Sequence, residues 1–261
     1  MEKRQPRQPA CLTVKDNIAI TPHMRRITVT GDALKAYPDI DTTAYVKLLF
    51  DFDGNPLSVP PASLQDAQLR TYTIRQLDRS NGTMDIDMAL HGEGVASGPA
   101  SHWAKSAAPG DQICVGGPGS SKGLADSFDW VLFAGDMTSL PAISTYLEKL
   151  GPQTQGYAVI KVTTAEDIQP LEKPAGVNVI WVTGANSLAD EVAALSWLPG
   201  TPAAWVACEF SDMRALRQLL AKERRIPHDQ LYISSYWREG RSEDQHKVDK
   251  RKDMEEYEAN A

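Results

Sequence analysis

The chain has 261 residues, of which 42% are hydrophobic and 23% are charged; the length favours two domains, and the composition excludes disordered, collagen-like and coiled-coil proteins. Asp and Glu number 34 against 27 Lys and Arg, a formal net charge of −7. Such an acidic chain is a poor candidate for a nucleic-acid-binding protein, because those proteins use a basic surface to displace counterions.

The cysteines and the apolar runs bear on the cellular compartment. The cationic residues near the start are followed by no apolar stretch, and no apolar run approaches the roughly 18 residues of a membrane helix. We therefore expect a soluble, cytoplasmic protein. Three cysteines that are far apart and lack CxxC or Cys/His spacing predict buried thiols rather than a disulfide framework or a zinc site: Cys11, Cys114 and Cys208.

Residues 10 to about 117 are predicted to form short antiparallel strands. Apolar and polar side chains alternate within them, and Gly, Pro and Asn turn signals separate them. A helix interrupts the strands at residues 99–108, where Pro99 fits the first turn. Strands this short and this closely spaced favour an antiparallel barrel. The clearest strands are residues 27–30, 46–50, 70–74 and 84–88.

From residue 123 onward, predicted strands alternate with predicted helices. Residues 130–134 are a continuous apolar run, which is typical of a strand covered on both faces. The alternation implies a parallel sheet, so the fold class is α/β with an all-β N-terminal part, divided into domains 1–122 and 123–261. The further predicted elements are strands 157–162, 177–182, 205–208 and 231–235, helices 140–150, 188–195 and 211–224, and a C-terminal helix.

The first candidate site is the segment RTYT at residues 70–73. On a strand, Arg70 and Tyr72 share one face. A guanidinium can grip a phosphate with two hydrogen bonds, and a phenol ring offers a flat surface to a planar ligand. Taken alone, these four residues still favour an ordinary strand with a surface arginine and a packed tyrosine.

The second candidate site is the predicted helix start at residues 98–101, which His91 precedes. Small residues there leave backbone N–H groups free at the positive end of the helix dipole, and this arrangement suits a pyrophosphate. The alternative is that the chain merely turns into a helix, with Trp103 in the core and His91 as a structural residue.

The third candidate site, GDMTSLPA at residues 135–142, directly follows the apolar strand. Ligands of open parallel sheets bind at the carboxyl ends of strands, where the strand order reverses. Gly135 allows close approach, and Thr138 can cap the helix or bind a ligand. The GxGxxG fingerprint of a dinucleotide site is absent.

Together these segments resemble the siderophore-interacting protein family, which are FAD-containing ferric-siderophore reductases of the ferredoxin-reductase superfamily. The resemblance extends from about Leu12 to Lys250, with the motifs in the family's order and at compatible spacing. The segments are RTYT, ALHG with GPASHWA, PGDQICVGGPGSS, LFAGDMTSLPAI, WVACEFSDMRALRQLL and SSYWREG.

The resemblance implies a six-stranded antiparallel barrel that binds FAD, followed by an α/β domain of the NAD(P)H-binding type, as in ferredoxin reductases. Tyr72 would lie against the isoalloxazine with Thr73 near its reactive edge, and Arg70 and the helix start would hold the pyrophosphate. Trp237 corresponds to an aromatic residue that family members bring back toward the flavin, and a strand-end core residue is the equal alternative. The implied cofactor-binding residues are Arg70, Tyr72, Thr73, His91, Gly98, Pro99, Ala100, Ser101, Trp103, Gly135, Asp136, Thr138 and Trp237.

A ferric siderophore is bulky and often anionic, so its reductase needs a positive pocket on an otherwise negative surface. Lys47 lies on a predicted strand where family members carry a pocket lysine, and the C-terminal segment offers further cations. The alternative for that segment is a solvated helix with i,i+4 ion pairs such as Glu243–Lys247. The implied substrate-binding residues are Lys47, Arg241, Lys247 and Lys250.

The implied function is ferric-siderophore reduction, in which FAD carries the redox chemistry and no side chain acts as acid, base or nucleophile. Met137 and Ser139 depart from the family's usual loop, so NADH, NADPH and reduced ferredoxin all stay open as electron donors. A flavin reductase that serves ferredoxin or flavodoxin, and a siderophore-binding module without flavin, are the alternative functions. A monomer suffices for each.

Overall fold

The computed structural model describes residues 8–40, 42–91, 98–120 and 123–259. It divides into two compact units, Met1–Ser121 and Lys122–Ala261, which are described separately. In the described residues, no helix has both the length and the apolar character that crossing a bilayer requires.

The first unit is built on one sheet of seven described strands. They are β1 (Ala10–Thr21), β2 (Met24–Thr30), β3 (Tyr45–Phe50), β4 (Gln68–Thr73), β5 (Gln76–Asp78), β6 (Thr83–Ala89) and β7 (Gln112–Gly119). Neighbours pair in the order β4-β3-β7-β1-β2-β6-β5, and every pair is antiparallel. The helices of this unit are α1 (Asp32–Lys35) and α2 (Gly98–Ser106).

Buried and more exposed side chains alternate along the strands, and this alternation explains why the sheet has one face against the core. On β2, Ile27 and Val29 are buried while Thr28 between them is half-buried, which is the period of two expected of a strand with one core face. The helix α2 adds Trp103 to the same core, where its ring meets Phe50 edge to face with centroids 6.4 Å apart. The predicted antiparallel architecture is confirmed, and the short β5 brings the described strands to seven rather than six.

A disulfide bond joins Cys11 and Cys114, so the prediction of three free thiols is wrong for this pair. Cys11 on β1 lies directly opposite Cys114 on β7, with Cα atoms 3.9 Å apart, although 103 residues separate them in the chain. Strand pairing made them neighbours, and sequence spacing carries no signal of that pairing. Cys208 is free and buried, and its burial raises the pKa of the thiol well above its ordinary value.

The second unit contains a parallel sheet of five strands. They are β8 (Trp130–Asp136), β9 (Gly156–Lys161), β10 (Val177–Val182), β11 (Pro202–Glu209) and β12 (Leu231–Trp237). Neighbours pair in the order β10-β9-β8-β11-β12, so the strand order reverses between β8 and β11. Every residue of β8 is buried, as its apolar run predicts.

Helices connect these parallel strands, and the predicted α/β architecture is confirmed. The connecting helices are α3 (Leu140–Lys149), α4 (Leu188–Ala193) and α5 (Phe210–Arg217), which continues as π-helical Gln218–Glu223. A further helix, α6 (Glu243–Ala259), follows β12. The C-terminal helix α6 is not simply solvated. Arg217 of α5 forms a buried bidentate ion pair with Asp253, at 2.7 and 3.0 Å. Buried His246 places Nε2 2.8 Å from Ser235 Oγ on β12.

Candidate functional site

Strand β4 presents its side chains on two faces of the first unit. In its antiparallel pairing with β3, Tyr72 is opposite Val46 and Lys47 is opposite Thr71. Residues opposite each other on paired strands share a face, and along one strand successive residues point to opposite faces, so that residues i and i+2 share a face. Tyr72 therefore shares the core-side face with Arg70, as the sequence predicts, whereas Lys47 lies on the other face.

Arg70 is half-buried and is held in place by its own strand. Its Nη1 donates to the carbonyl oxygen of Leu69 and its Nη2 to Gln68 Oε1, both at 2.9 Å. These two contacts leave further guanidinium N–H groups, so an anion can bind without displacing them. Tyr72 is half-buried against the hydrophobic core, and Thr73 is buried.

His91 and the start of α2 lie together, as expected. The backbone N–H of His91 donates to Ser101 Oγ at 3.2 Å, and that hydroxyl donates to the carbonyl oxygen of His91 at 3.1 Å. Gly98 has a φ of +68°, and a Cβ built on it would lie 3.9 Å from His91 Cε1. Pro99 follows in the first turn, so the positive end of this nine-residue helix is next to an imidazole ring.

The charges around this helix start favour an anion. Loss of hydration, followed by the nearby cations Lys105 and Arg70, lowers the pKa of His91. The charge of Arg70 on β4 therefore affects His91, the residue that lies beside the start of α2. The side chains of Ala100 and Trp103 are buried in the core, so their predicted part in cofactor binding would have to come from the backbone.

In the second unit, Asp136 is the last residue of β8, and its buried carboxylate accepts four hydrogen bonds at the carboxyl edge of the sheet. Oδ1 accepts the backbone N–H and the hydroxyl of Thr138, at 2.9 and 2.5 Å. Oδ2 accepts the backbone N–H of Glu209 at 2.8 Å and the indole Nε1 of Trp237 at 2.8 Å. One side chain thus connects the carboxyl ends of β8, β11 and β12.

Burial raises the pKa of Asp136 in spite of these four hydrogen bonds. Gly135 before it pairs with Ala207 on β11, and a Cβ on Gly135 would lie 2.8 Å from the carbonyl oxygen of Ala207, so only glycine fits there. Trp237 is anchored by its Nε1 yet remains 37% exposed. It presents an aromatic surface at this edge of the sheet.

The C-terminal basic residues are engaged by neighbours rather than gathered into an open cluster. Arg241 forms a bidentate ion pair with Asp249, at 2.8 and 3.0 Å, which raises the pKa of Arg241 and lowers that of Asp249 to about 2. Lys247 contacts Glu243 at 3.1 Å and Asp244 at 3.2 Å.

Lys250 differs from these two residues, because hydroxyl and carbonyl oxygens hold its ammonium. Nζ donates to Ser234 Oγ at 2.5 Å and to the carbonyl oxygen of Ser235 at 3.4 Å. Burial lowers the pKa of Lys250. Its charge is therefore less fully neutralised than the charges of Arg241 and Lys247.

Two protein-family models match this chain, one in each of its two units. Residues 13–122 match the model of the siderophore-interacting FAD-binding domain, and residues 128–240 match that of the siderophore-interacting protein. The chain is 30% identical over 252 residues to the ferric vibriobactin reductase ViuB of Vibrio cholerae, covering 91% of this chain and 92% of that protein. The chain belongs to the siderophore-interacting protein family.

Solved structures agree with this assignment. The siderophore-interacting protein SipS from Aeromonas hydrophila superposes with a TM-score of 0.84 at 31% identity, covering 95% of this chain and 98% of SipS. A ferredoxin-NADP+ reductase from Plasmodium falciparum superposes with a TM-score of 0.63 at 10% identity, covering 87% and 96%. The latter likeness shows that the fold is ferredoxin-reductase-like.

The first unit of this family member is an FAD-binding domain, and its described residues fit that cofactor. The helix start at Gly98, the remaining donors of Arg70 and the imidazole of His91 match the charge and donor demands of a pyrophosphate. The half-buried ring of Tyr72, on the same face as Arg70, is an aromatic surface for a planar ring system.

Sequence reasoning missed Glu209 and Lys161 at the edge of the parallel sheet. Glu209 accepts the backbone N–H of Ser211, caps α5 in this way, and also accepts the backbone N–H of Glu239 at 3.2 Å. Lys161 pairs with Asp212 of α5 at 3.3 Å. Both residues lie at or next to the carboxyl ends of predicted strands, 205–208 for Glu209 and 157–162 for Lys161, and this position could have identified them as residues of the sheet edge.

Proposed function

We propose that this protein is an FAD-dependent ferric-siderophore reductase, which reduces Fe(III) in a siderophore chelate and thereby releases Fe(II). The observation that carries the proposal is the match of both family models in order along one chain, joined to the pyrophosphate-compatible helix start beside Arg70 and His91. Likeness to a protein named ferric vibriobactin reductase supports the same activity.

The protein's task toward FAD is to bind and orient it. Arg70, His91 and the backbone N–H groups at the α2 start, those of Gly98, Ala100 and Ser101, hold the diphosphate, and Pro99, which has no N–H, sets the conformation of the first turn. Tyr72 and Thr73 flank the ring system, and Trp103 supports α2 from the core. When bound, FAD supplies the redox chemistry by taking up electrons from a donor and delivering them singly to iron.

The carboxyl edge of the parallel sheet also contributes to cofactor binding. Asp136 fixes the loop that carries Thr138, and Gly135 allows the loop to approach β11 closely. Asp136 also orients the exposed indole of Trp237. We assign these four residues to the binding of the flavin or of its electron donor.

The substrate is an Fe(III) chelate with anionic oxygen donors. Gaining one electron removes one positive charge from iron, which weakens each iron–oxygen attraction and favours release as Fe(II). Lys47 and Lys250 are the strongest candidates for contacts with an anionic chelate. Among the described residues, hydroxyl and carbonyl oxygens rather than a carboxylate hold Lys250, and Lys47 lies on a strand opposite Thr71. Arg241 and Lys247 contribute only if the chelate replaces their carboxylate partners.

NAD(P)H or a reduced ferredoxin is the electron donor in this proposal. The protein acts in the cytoplasm, as a monomer, with domains 1–122 for FAD and 123–261 for the donor. In the cytoplasm we expect the Cys11–Cys114 disulfide to be open to reduction, because the reducing potential of that compartment favours thiols.

An anaerobic two-step titration tests the function. The purified yellow protein is reduced with NADPH, with NADH or with dithionite, and bleaching of the flavin absorbance is followed. A ferric tris-catecholate or tris-hydroxamate is then added, and we expect the flavin absorbance to return as an Fe(II) chelator develops colour. Reduced flavin that persists with both chelates, but is reoxidised by a ferredoxin or flavodoxin, would contradict the proposal.

Substrate contacts are tested by Lys47→Ala, Lys250→Ala and the double variant. Each is expected to weaken binding of the ferric chelate about tenfold, as loss of one charge-assisted hydrogen bond does. Exposed Lys15 on β1 and exposed Lys252 on α6 give matched controls, because their replacement by Ala removes one positive charge from the same unit as Lys47 and from the same helix as Lys250. Equal dissociation constants in all variants would remove the assignment.

A further inference from the structure

The turn at residues 51–55 of the first unit presents an exposed aromatic side chain. Phe52 is 71% exposed, and among the described Phe, Tyr and Trp residues of that unit it is the one exposed side chain. A single exposed apolar residue is ordinary in a globular protein. The position of Phe52 distinguishes it, because the turn contacts both the strand that carries Arg70 and the start of α2.

Asp51 holds this turn in one conformation. Its Oδ1 accepts the backbone N–H groups of Asp53 and Asn55, at 3.0 and 2.8 Å, and its Oδ2 accepts the side-chain amide of Asn55 at 3.0 Å. The backbone N–H of Gly54 donates to the carbonyl oxygen of Asp51 at 3.1 Å. The hydrogen bonds from Asn55 lower the pKa of Asp51, so its carboxylate is ionised at neutral pH. The backbone that carries Phe52 is therefore fixed.

Contacts on two sides connect the turn to the residues that we assign to the FAD diphosphate. Gln68 Nε2 donates to the carbonyl oxygen of Asp51 at 2.9 Å, and Gln68 Oε1 accepts from Arg70 Nη2 at the same distance. On the other side, a Cβ built on Gly54, where φ is +90°, would lie 3.5 Å from the Cβ of Pro99 in the first turn of α2. The aromatic residue of the turn lies one position from the first contact and two positions from the second.

The order of side chains along β4 gives the direction in which bound FAD extends. Tyr72, Arg70 and Gln68 share one face. In the pairing with β3, Gln68 lies opposite Phe50, the residue directly before the turn. In the proposed function Tyr72 lies against the flavin ring and Arg70 binds the diphosphate. Because adenosine follows the diphosphate in FAD, we expect it to extend past Gln68 toward the 51–55 turn.

The chemistry of the turn suits a neutral aromatic base and disfavours a phosphate. Asp51 and Asp53 are acidic, and residues 51–66 contain no Lys or Arg, so a phosphate would meet like charge there. Adenine carries no charge and has two flat faces, and an aromatic side chain binds such a base by stacking.

We propose that Phe52 stacks on the adenine of FAD, and that the protein thereby prefers FAD to FMN, which ends at its first phosphate. This inference rests on the proposed function, because it takes the direction of FAD from the assignments of Tyr72 and Arg70. It adds a binding residue at the end of the cofactor that is distant from the reacting ring.

Titration of flavins into the flavin-free protein, followed by flavin fluorescence, tests the inference without any electron transfer. Phe52→Ala should weaken FAD binding about tenfold, the effect of losing one base–aromatic stack, and leave the dissociation constant of FMN unchanged. Phe52→Leu keeps an apolar side chain but has no flat face, so it should weaken FAD binding to a similar extent. Phe52→Tyr keeps the ring and should retain the wild-type affinity.

Val59→Ala is the matched control. Val59 lies in the same connection between β3 and β4 and, like Phe52, is 71% exposed. Its replacement therefore removes an equally exposed apolar side chain from the same segment, and we expect the FAD affinity to stay at the wild-type value.

Wild-type FAD affinity in Phe52→Ala or Phe52→Leu, an equal loss of FMN affinity in Phe52→Ala, or an equal loss of FAD affinity in Val59→Ala would overturn the inference. Its failure is distinct from failure of the proposed function. The flavin affinities are measured without iron, whereas the proposed function fails if ferric chelates do not reoxidise the dithionite-reduced protein, whichever residue contacts adenine.

Discussion

Trp237 donates its indole N–H to the buried carboxylate of Asp136, 2.8 Å away, although 101 residues separate the two in the chain. The same carboxylate accepts N–H groups from Thr138 and Glu209. Buried donors that lose an acceptor cost about 1–3 kcal/mol each, because they have already been removed from water. Asp136 therefore stabilises the carboxyl edge of the parallel sheet, where we propose that the electron donor binds.

Asp136→Ala is expected to lower the free energy of unfolding by about 2–5 kcal/mol, since it leaves several partly buried donors without their acceptor. Chemical denaturation followed by circular dichroism measures this. Asp126→Ala, which changes an exposed aspartate of the same unit, should shift the value by less than about 0.5 kcal/mol. Equal losses in the two variants would show that Asp136 has no such role.

Arg70 is expected to contribute strongly to FAD affinity, because its free guanidinium donors lie on the Tyr72 face and act on the α2 start. Arg70→Ala should weaken FAD binding about 10- to 100-fold, measured by quenching of flavin fluorescence on titration into the apoprotein. Arg79→Ala removes the same charge from a pair with Asp39 in the same unit and should leave FAD affinity unchanged. An Arg70→Ala protein with wild-type affinity would contradict the pyrophosphate assignment.

His246 makes the docking of α6 sensitive to pH. Burial, followed by the nearby charge of Lys250, lowers the pKa of His246 below 6.5. The unfolded chain then binds a proton more readily than the folded one, so this contribution to stability is complete above about pH 6.5 and is lost as the pH falls toward the folded pKa.

We expect the wild-type unfolding free energy to fall between pH 7.5 and pH 5.5 more steeply than that of His246→Gln, whose amide can still contact Ser235. His102→Gln changes an exposed histidine, keeps His246, and should follow the wild-type dependence. Parallel pH dependences for wild type and His246→Gln would refute this assignment.

The Cys11–Cys114 disulfide closes a long loop within the first unit. Reduction is expected to lower the unfolding free energy by about 2–4 kcal/mol, because it restores conformational freedom to the unfolded chain. Denaturation with and without a phosphine reductant measures this, and the double variant Cys11→Ser/Cys114→Ser should not respond to the reductant. If alkylation of protein prepared without reductant labels both cysteines, the bond is absent in solution.

The order of elements was predictable because local periodicity follows from which faces are buried. The run at Trp130 identified β8 as a central strand, and the alternation around Ile27 identified β2. The Gly98–Pro99 helix start was visible for a similar reason, since residue type at a helix terminus depends on backbone conformation. The RTYT, GPAS and GDMTSLPA segments likewise identified the family.

Pairing across the fold was decided only by tertiary structure. Cys11 meets Cys114 because β1 and β7 are neighbours, Asp136 meets Trp237 because β8, β11 and β12 end at one edge, and Arg217 meets Asp253 because α6 lies against α5. Such contacts depend on strand order and register, which hydrophobic period does not specify. The sequence alone therefore determined which elements form and which family they resemble, whereas the packing of those elements determined which charges are neutralised, as in the buried Arg217–Asp253 ion pair.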